Sequence, residues 1–173
     1  EYNTIDSSIE IGDVVKLTGK NIDKTTSAYD ETVVGVVSQN TGLKLSDDDH
    51  YDSIETNMRP VALAGRVYVK VTSENGNIAA GDYLVSSSKA GYAMKQCGPK
   101  YCQSGIVIGR ALEDLNYQLV EGKVLMFVEQ GFRLDPNIMK QLSTPNNIGD
   151  LTISGGTITS QVFQSNNKIE TNS

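Results

Sequence analysis

Apolar and polar positions alternate most regularly between Pro60 and Leu84, PVALAGRVYVKVTSENGNIAAGDYL. Val61, Leu63, Gly65, Val67, Val69 and Val71 recur at a period of two, and β-branched types dominate, which predicts one long, largely buried strand. Pro60 suits its start, because a proline fits the first residue of a strand, where no ladder donor is needed. Ser73-Glu74-Asn75-Gly76 supplies an Asn-Gly pair that tolerates positive φ, so the chain is expected to fold back before Ile78.

A second regularity spans the whole domain. Ile9-Glu-Ile-Gly-Asp-Val-Val15 returns as Ile78-Ala-Ala-Gly-Asp-Tyr-Leu84, each copy an I-x-x-G-D followed by two further residues of a strand. Each precedes a glycine-centred apolar run, Val33–Val37 in the first half and Ile106–Leu112 in the second. A third strand then follows, Val61 to Val71 in one half and Lys123 to Glu129 in the other. Gly-Asp alone is common in turns, but the parallel order of three elements favours a diverged duplication. The longer spacing in the second half, from Gly81 to Gly109, is assigned to a loop carrying the two cysteines. The predicted fold is all-β, a duplicated β-barrel or sandwich over residues 1–134.

The pattern changes after Leu134. Asp135-Pro-Asn-Ile-Met-Lys-Gln-Leu142 opens with an N-cap type residue and a proline at the first helical position, and Ile138, Met139 and Leu142 share a face. One short helix is therefore predicted, with a linker to Pro145. Residues 146–173 are rich in Asn, Ser, Thr and Gly, yet alternate at Leu151 and Ile153 and again at Ile158, Ser160 and Val162. An extended β tail is expected, too weakly apolar to fold alone. It either serves as an intersubunit strand through Leu151, Ile153, Ile158, Val162 and Phe163, folds back on its own barrel, or joins a three-chain β-stalk.

Composition narrows the function. A hydrophobic content of 38% with 21% charged residues marks a globular chain rather than a disordered one. The formal net charge of -6 disfavours contact with phosphate backbones, so no nucleic-acid partner is expected. No apolar run approaches the roughly 20 residues of a membrane-spanning helix. Cys97 and Cys102 flank a Gly-Pro turn that brings the sulfurs within bonding reach, which favours a disulfide and an extracellular setting over two free thiols. With His50 distant in sequence, zinc lacks a four-ligand set. Asp47, Asp48, Asp49, Asp52 and Glu55 concentrate carboxylates in one loop; calcium is one reading of it and a solvated acidic loop the other. Catalytic patterns are thin: one His stands without a Ser elbow, and Ser86-Ser-Ser-Lys89 reads better as a polar hairpin loop than as a Ser-Lys pair.

A longer string of motifs carries a resemblance. Glu1-Tyr2, Ile9-x-x-Gly-Asp-Val-Val15, Val33-Val-Gly-Val-Val-Ser38, Pro60-Val-Ala-Leu-Ala-Gly-Arg-Val-x-Val-Lys-Val71, Gly81-Asp-Tyr-Leu84, Ala93-Met-Lys95, Ile108-Gly-Arg-Ala-Leu-Glu113 and Val124-Leu-Met-Phe-Val128 follow one another in order. From Glu1 to Phe132 the chain resembles the C-terminal intramolecular-chaperone domain of phage appendage and tail-fibre proteins, a family classed among the glutamic autopeptidases, and similar domains of bacterial surface proteins. The resemblance implies a trimeric fibre-assembly module in which Glu1 is one of two catalytic acids. The partner Asp of that pattern would stand three residues earlier, and a lone carboxylate cannot divide acid and base roles. The chain as it stands is therefore expected not to be a working protease.

The function expected first is a structural subunit or assembly module of an extracellular fibre, whether appendage or virion, partnered by copies of itself as a homotrimer or filament. An autoproteolytic trimerising chaperone is the second reading. A surface or carbohydrate-binding module is the third. No cofactor is expected beyond calcium at the acidic loop.

Overall fold

The computed structural model describes residues 2–39, 57–116 and 118–143, together with the backbone of 152–153 and 158–159. It is nearly all β with one short helix, and the chain divides into two compact units, Glu1–Asp135 and Pro136–Ser173.

Among the described residues, the first half of the larger unit supplies six strands: β1 (Tyr2–Asn3), β2 (Val14–Thr18), β3 (Asn21–Lys24), β4 (Val33–Val37), β5 (Met58–Arg59) and β6 (Val61–Ala62). They form one sheet in the order β5-β1-β3-β2-β4-β6. Its two ends, β5 and β6, are the same stretch of chain broken at Pro60, which has no amide hydrogen to give a ladder. The sheet thus comes round on itself through the proline, whose carbonyl still accepts the Ser38 N–H at 2.9 Å.

The second half repeats this plan with β7 (Gly65–Thr72), β8 (Tyr83–Ser86), β9 (Ala93–Lys95), β10 (Gly105–Ala111) and β11 (Glu121–Arg133). These close into a five-stranded barrel, β10-β11-β7-β9-β8. The correspondence extends to register. Val15 lies opposite Lys24 and Gly35, and Leu84 lies opposite Lys95 and Gly109. Val37 faces Val61 as Ala111 faces Met126. Each half also contains one parallel pair, β1 with β3 and β7 with β9.

Both Gly-Asp turns are built identically. Gly12 and Gly81 sit at φ +92 and +93 and donate to Val37 and Ala111 at 2.9 and 2.8 Å. Asp13 and Asp82 each accept the amide three residues back, from Glu10 and Ala79, at 2.8 Å. The central glycines have a shared steric reason: a Cβ on Gly35 would stand 2.6 Å from the Ala62 carbonyl oxygen, and on Gly109 2.2 Å from that of Phe127.

The long strand expected from Pro60 to Val71 is two strands. The chain bends at Leu63 and Ala64, and Gly65 at φ +90 redirects it, so β6 belongs to the first sheet and β7 to the second. Leu63 and Gly65 are exposed rather than buried. A period of two reads the same whichever sheet a strand joins, so the switch leaves no trace in the alternation. The Asn75-Gly76 turn forms, with Gly76 donating to Ser73 at 2.9 Å, but it closes no hairpin, because β8 pairs with β9 and β10 and not with β7.

The two halves share apolar packing. Val15, Ile22, Val37 and Ile9 fill the first, while Val69, Val71, Leu84, Ile108, Val124 and Met126 fill the second in one cluster that also takes in Val14, Val33 and Val36 of the first half. In the smaller unit, Pro136–Ser143 forms the helix α1, with Asp135 before it and proline at its first position. The strands β12 (Thr152–Ile153) and β13 (Ile158–Thr159) pair antiparallel, with Ile153 opposite Ile158.

Candidate functional site

Where the halves meet, the first Gly-Asp turn is sealed by the second half. Lys70 N–H donates to the Gly12 carbonyl at 2.9 Å, Val14 N–H to that of Gly91 at 2.8 Å, and Gly91 N–H to that of Thr25 at 2.9 Å. The Asp13 side chain, 1% exposed, lies 2.7 Å from Lys70 Nζ and 3.3 Å from Lys24 Nζ. Glu10 adds a second carboxylate 2.9 Å from Lys70. Burial works against the charge on Lys70, yet Asp13 and Glu10 outweigh it and hold the ammonium above its ordinary value of 10.5. Asp82, the counterpart of Asp13, keeps its lysine, Lys95 at 2.9 Å, but stays partly open to solvent. The asymmetry marks these carboxylates as structural: one locks a turn into a junction, the other caps a surface turn.

A second constellation surrounds the cysteines. Cys97 and Cys102 are joined as a disulfide, and Gly98 N–H donates to the Tyr101 carbonyl across the loop at 2.9 Å. The loop is held by Asn75, which is fully buried. Its Nδ2 donates to the carbonyls of Lys95 at 2.8 Å and Tyr101 at 2.9 Å, and its Oδ1 accepts from the amides of Tyr101 at 2.7 Å and Lys100 at 3.2 Å. Asp135 Oδ1 approaches Cys102 Sγ at 3.4 Å. Cys97, Cys102 and Asp135 gather ligand-type atoms, but sulfurs bonded to each other offer no thiolate to a metal.

The third feature is a surface. On the outer face of the second half's barrel β10, β11 and β7 run side by side, and their outward residues fall in rows. Tyr68 lies opposite Leu125, and Leu112 N–H donates to the Leu125 carbonyl, so Leu112, Leu125 and Tyr68 form an apolar row across three strands. The next row is Arg110, Phe127 and Arg66. Tyr68, Phe127 and Leu112 are 54%, 46% and 42% exposed. Beyond Phe127, Arg110 and Arg133 stack on the Tyr83 ring, and Glu129 stands 3.5 Å from both guanidiniums. Contiguous exposed aromatic and aliphatic groups rimmed by arginine are the composition of protein contact surfaces.

Of the residues singled out by sequence, the structure brings Cys97 and Cys102 together and sets Ile153 against Ile158 in the tail hairpin. Glu1, the acidic loop residues Asp47, Asp48, Asp49, Asp52 and Glu55, and the tail residues Leu151, Val162 and Phe163 lie outside the described residues. Ser86-Ser-Ser-Lys89 connects β8 to β9 as a hairpin, although Ser86 and Ser87 are buried and bonded rather than displayed. The outer-face rows escape sequence reasoning, because alternation says which side of a strand Tyr68 and Phe127 take but not which residues of neighbouring strands lie beside them. So does Asn75, whose Asn-Gly context signals only a turn.

Among the described residues, no helix is long and apolar enough to cross a membrane. The chain matches no family model, no curated protein and no solved structure.

Proposed function

We propose that the chain is a structural or assembly module of an extracellular fibre or appendage that works by associating with copies of itself. The observation that carries this reading is the row of exposed Leu112, half-buried Leu125 and exposed Tyr68 beside exposed Phe127, an apolar face on the outside of the barrel. Other features agree with it. The disulfide suits an oxidising compartment. The interiors of both halves are filled by side chains, and the carboxylates and lysines at the junction are committed to one another. The motif string from Glu1 to Phe132 resembles fibre-chaperone domains, which supports the same placement. The separate C-terminal unit, with its paired strands β12 and β13, is the second element of assembly, and copies of the chain are its partners.

Light scattering and electron microscopy on residues 1–173 beside a chain ending at Pro145 test the reading. The full chain should form oligomers or filaments, and the shortened one a smaller discrete species with its β spectrum intact. A full chain that stays monomeric at 100 micromolar-scale concentrations, on the order expected to populate weak interfaces, would sink the proposal.

A further inference from the structure

The outer face of the second half's barrel has a pattern that fits itself. Along β11 the outward residues run Lys123, Leu125, Phe127, Glu129, a cation, two apolar groups and an anion. On the neighbouring β7, Arg66 stands opposite Phe127 and Tyr68 opposite Leu125. Turned end for end about an axis crossing the strands between these two rows, the face meets its own complement: Leu125 against Phe127, Tyr68 against Arg66, Lys123 against Glu129. Arg66 is exposed and, among the described residues, has no ion-pair partner, so its guanidinium is available to cover a tyrosine ring. Glu129 is already oriented by Arg110 and Arg133. The strands of this half close into a barrel, and the β7–β10–β11 face is part of its outer wall.

Resting on the self-association reading above, we infer that a second copy of this chain packs on the β7–β10–β11 face as an isologous pair, with the two-fold axis lying between the Phe127 and Leu125 rows. An isologous contact repeats each interaction twice, so Arg66 of each copy covers Tyr68 of the other and the apolar groups are enclosed between them.

Sedimentation velocity on the full chain tests the geometry. Tyr68→Lys sets two lysines against two arginines and should weaken association at least about tenfold. Arg66→Glu combined with Tyr68→Lys restores opposite charges at both contacts and should return the association to near that of the unaltered chain. A Tyr68→Lys chain that associates normally, or a double variant no better than the single one, overturns the inference. Cysteine trapping supplies a readout that does not depend on charge: an equimolar mixture of Arg66→Cys and Tyr68→Cys chains should cross-link under mild oxidation far faster than either chain alone, and equal rates overturn the proposed axis. Assembly that persists unaltered in every variant leaves the C-terminal unit as the contact and removes this face. An unaltered chain that is monomeric removes both readings.

Discussion

At the scale of single residues, the duplication provides paired sites with one variable changed. Asp13 and Asp82 cap the same turn, bind equivalent lysines and differ in burial and in the added Lys70. Removing one partner of a buried ion pair strands the other charges, at about 3 kcal/mol or more, whereas an open pair contributes about 1 kcal/mol or less. Asp13→Asn should therefore lower the urea midpoint several times further than Asp82→Asn, and equal shifts would show that the junction does not isolate Asp13 from water. Asp30 carries a pH effect. Burial opposes its charge, but the Thr32 hydroxyl and amide, Lys16 and Ser27 outweigh that and hold its carboxyl below the ordinary value of 3.8. A depressed folded value means stability that is complete above the unfolded value and lost as pH falls through the folded one. Asp30→Ala should thus cost about 1–2 kcal/mol at neutral pH, a gap that narrows only below pH about 4. Chemical denaturation at several pH values would reveal a gap that failed to close.

Among the elements, the cysteine loop has two fasteners whose strengths can be ranked. A disulfide closing so short a loop removes little freedom from the unfolded chain, about 2 kcal/mol. Asn75 holds the same loop and the end of β9 by five backbone groups, and truncating it leaves buried donors and acceptors unpaired at about 1–3 kcal/mol each. Asn75→Ala should accordingly destabilise the protein more than replacing both cysteines by serine. Thermal melts of the two variants would decide the ranking. This order was not legible in the sequence. Cysteine spacing announces a bridge, because bond geometry limits where one can form, while Asn75 beside Gly76 announces only a turn. Its amide is spent on partners up to 26 residues away, and such distances leave no local pattern.

For the molecule as a whole, the Gly-Asp turns and central glycines made the duplication legible, since positive φ and a carbonyl too close for a Cβ leave few alternatives to glycine. The handover at Leu63 and Ala64 was not legible, and it decides how the halves depend on one another. One uninterrupted stretch gives β6 to the first half and β7 to the second, Val14, Val33 and Val36 pack into the second half's cluster, and the Lys70 and Gly91 amides bond across the junction. Neither half can unfold without exposing apolar surface and unpaired backbone of the other. Two halves with separate cores would melt apart; these should melt together. Calorimetry of the chain should show residues 1–135 unfolding in one transition with matching calorimetric and van't Hoff enthalpies, and Val36→Asp should lower that transition without splitting it. A split into two transitions would mean that the shared cluster couples the halves too weakly to make them one folding unit, and that the duplicated halves act as independent beads on the chain.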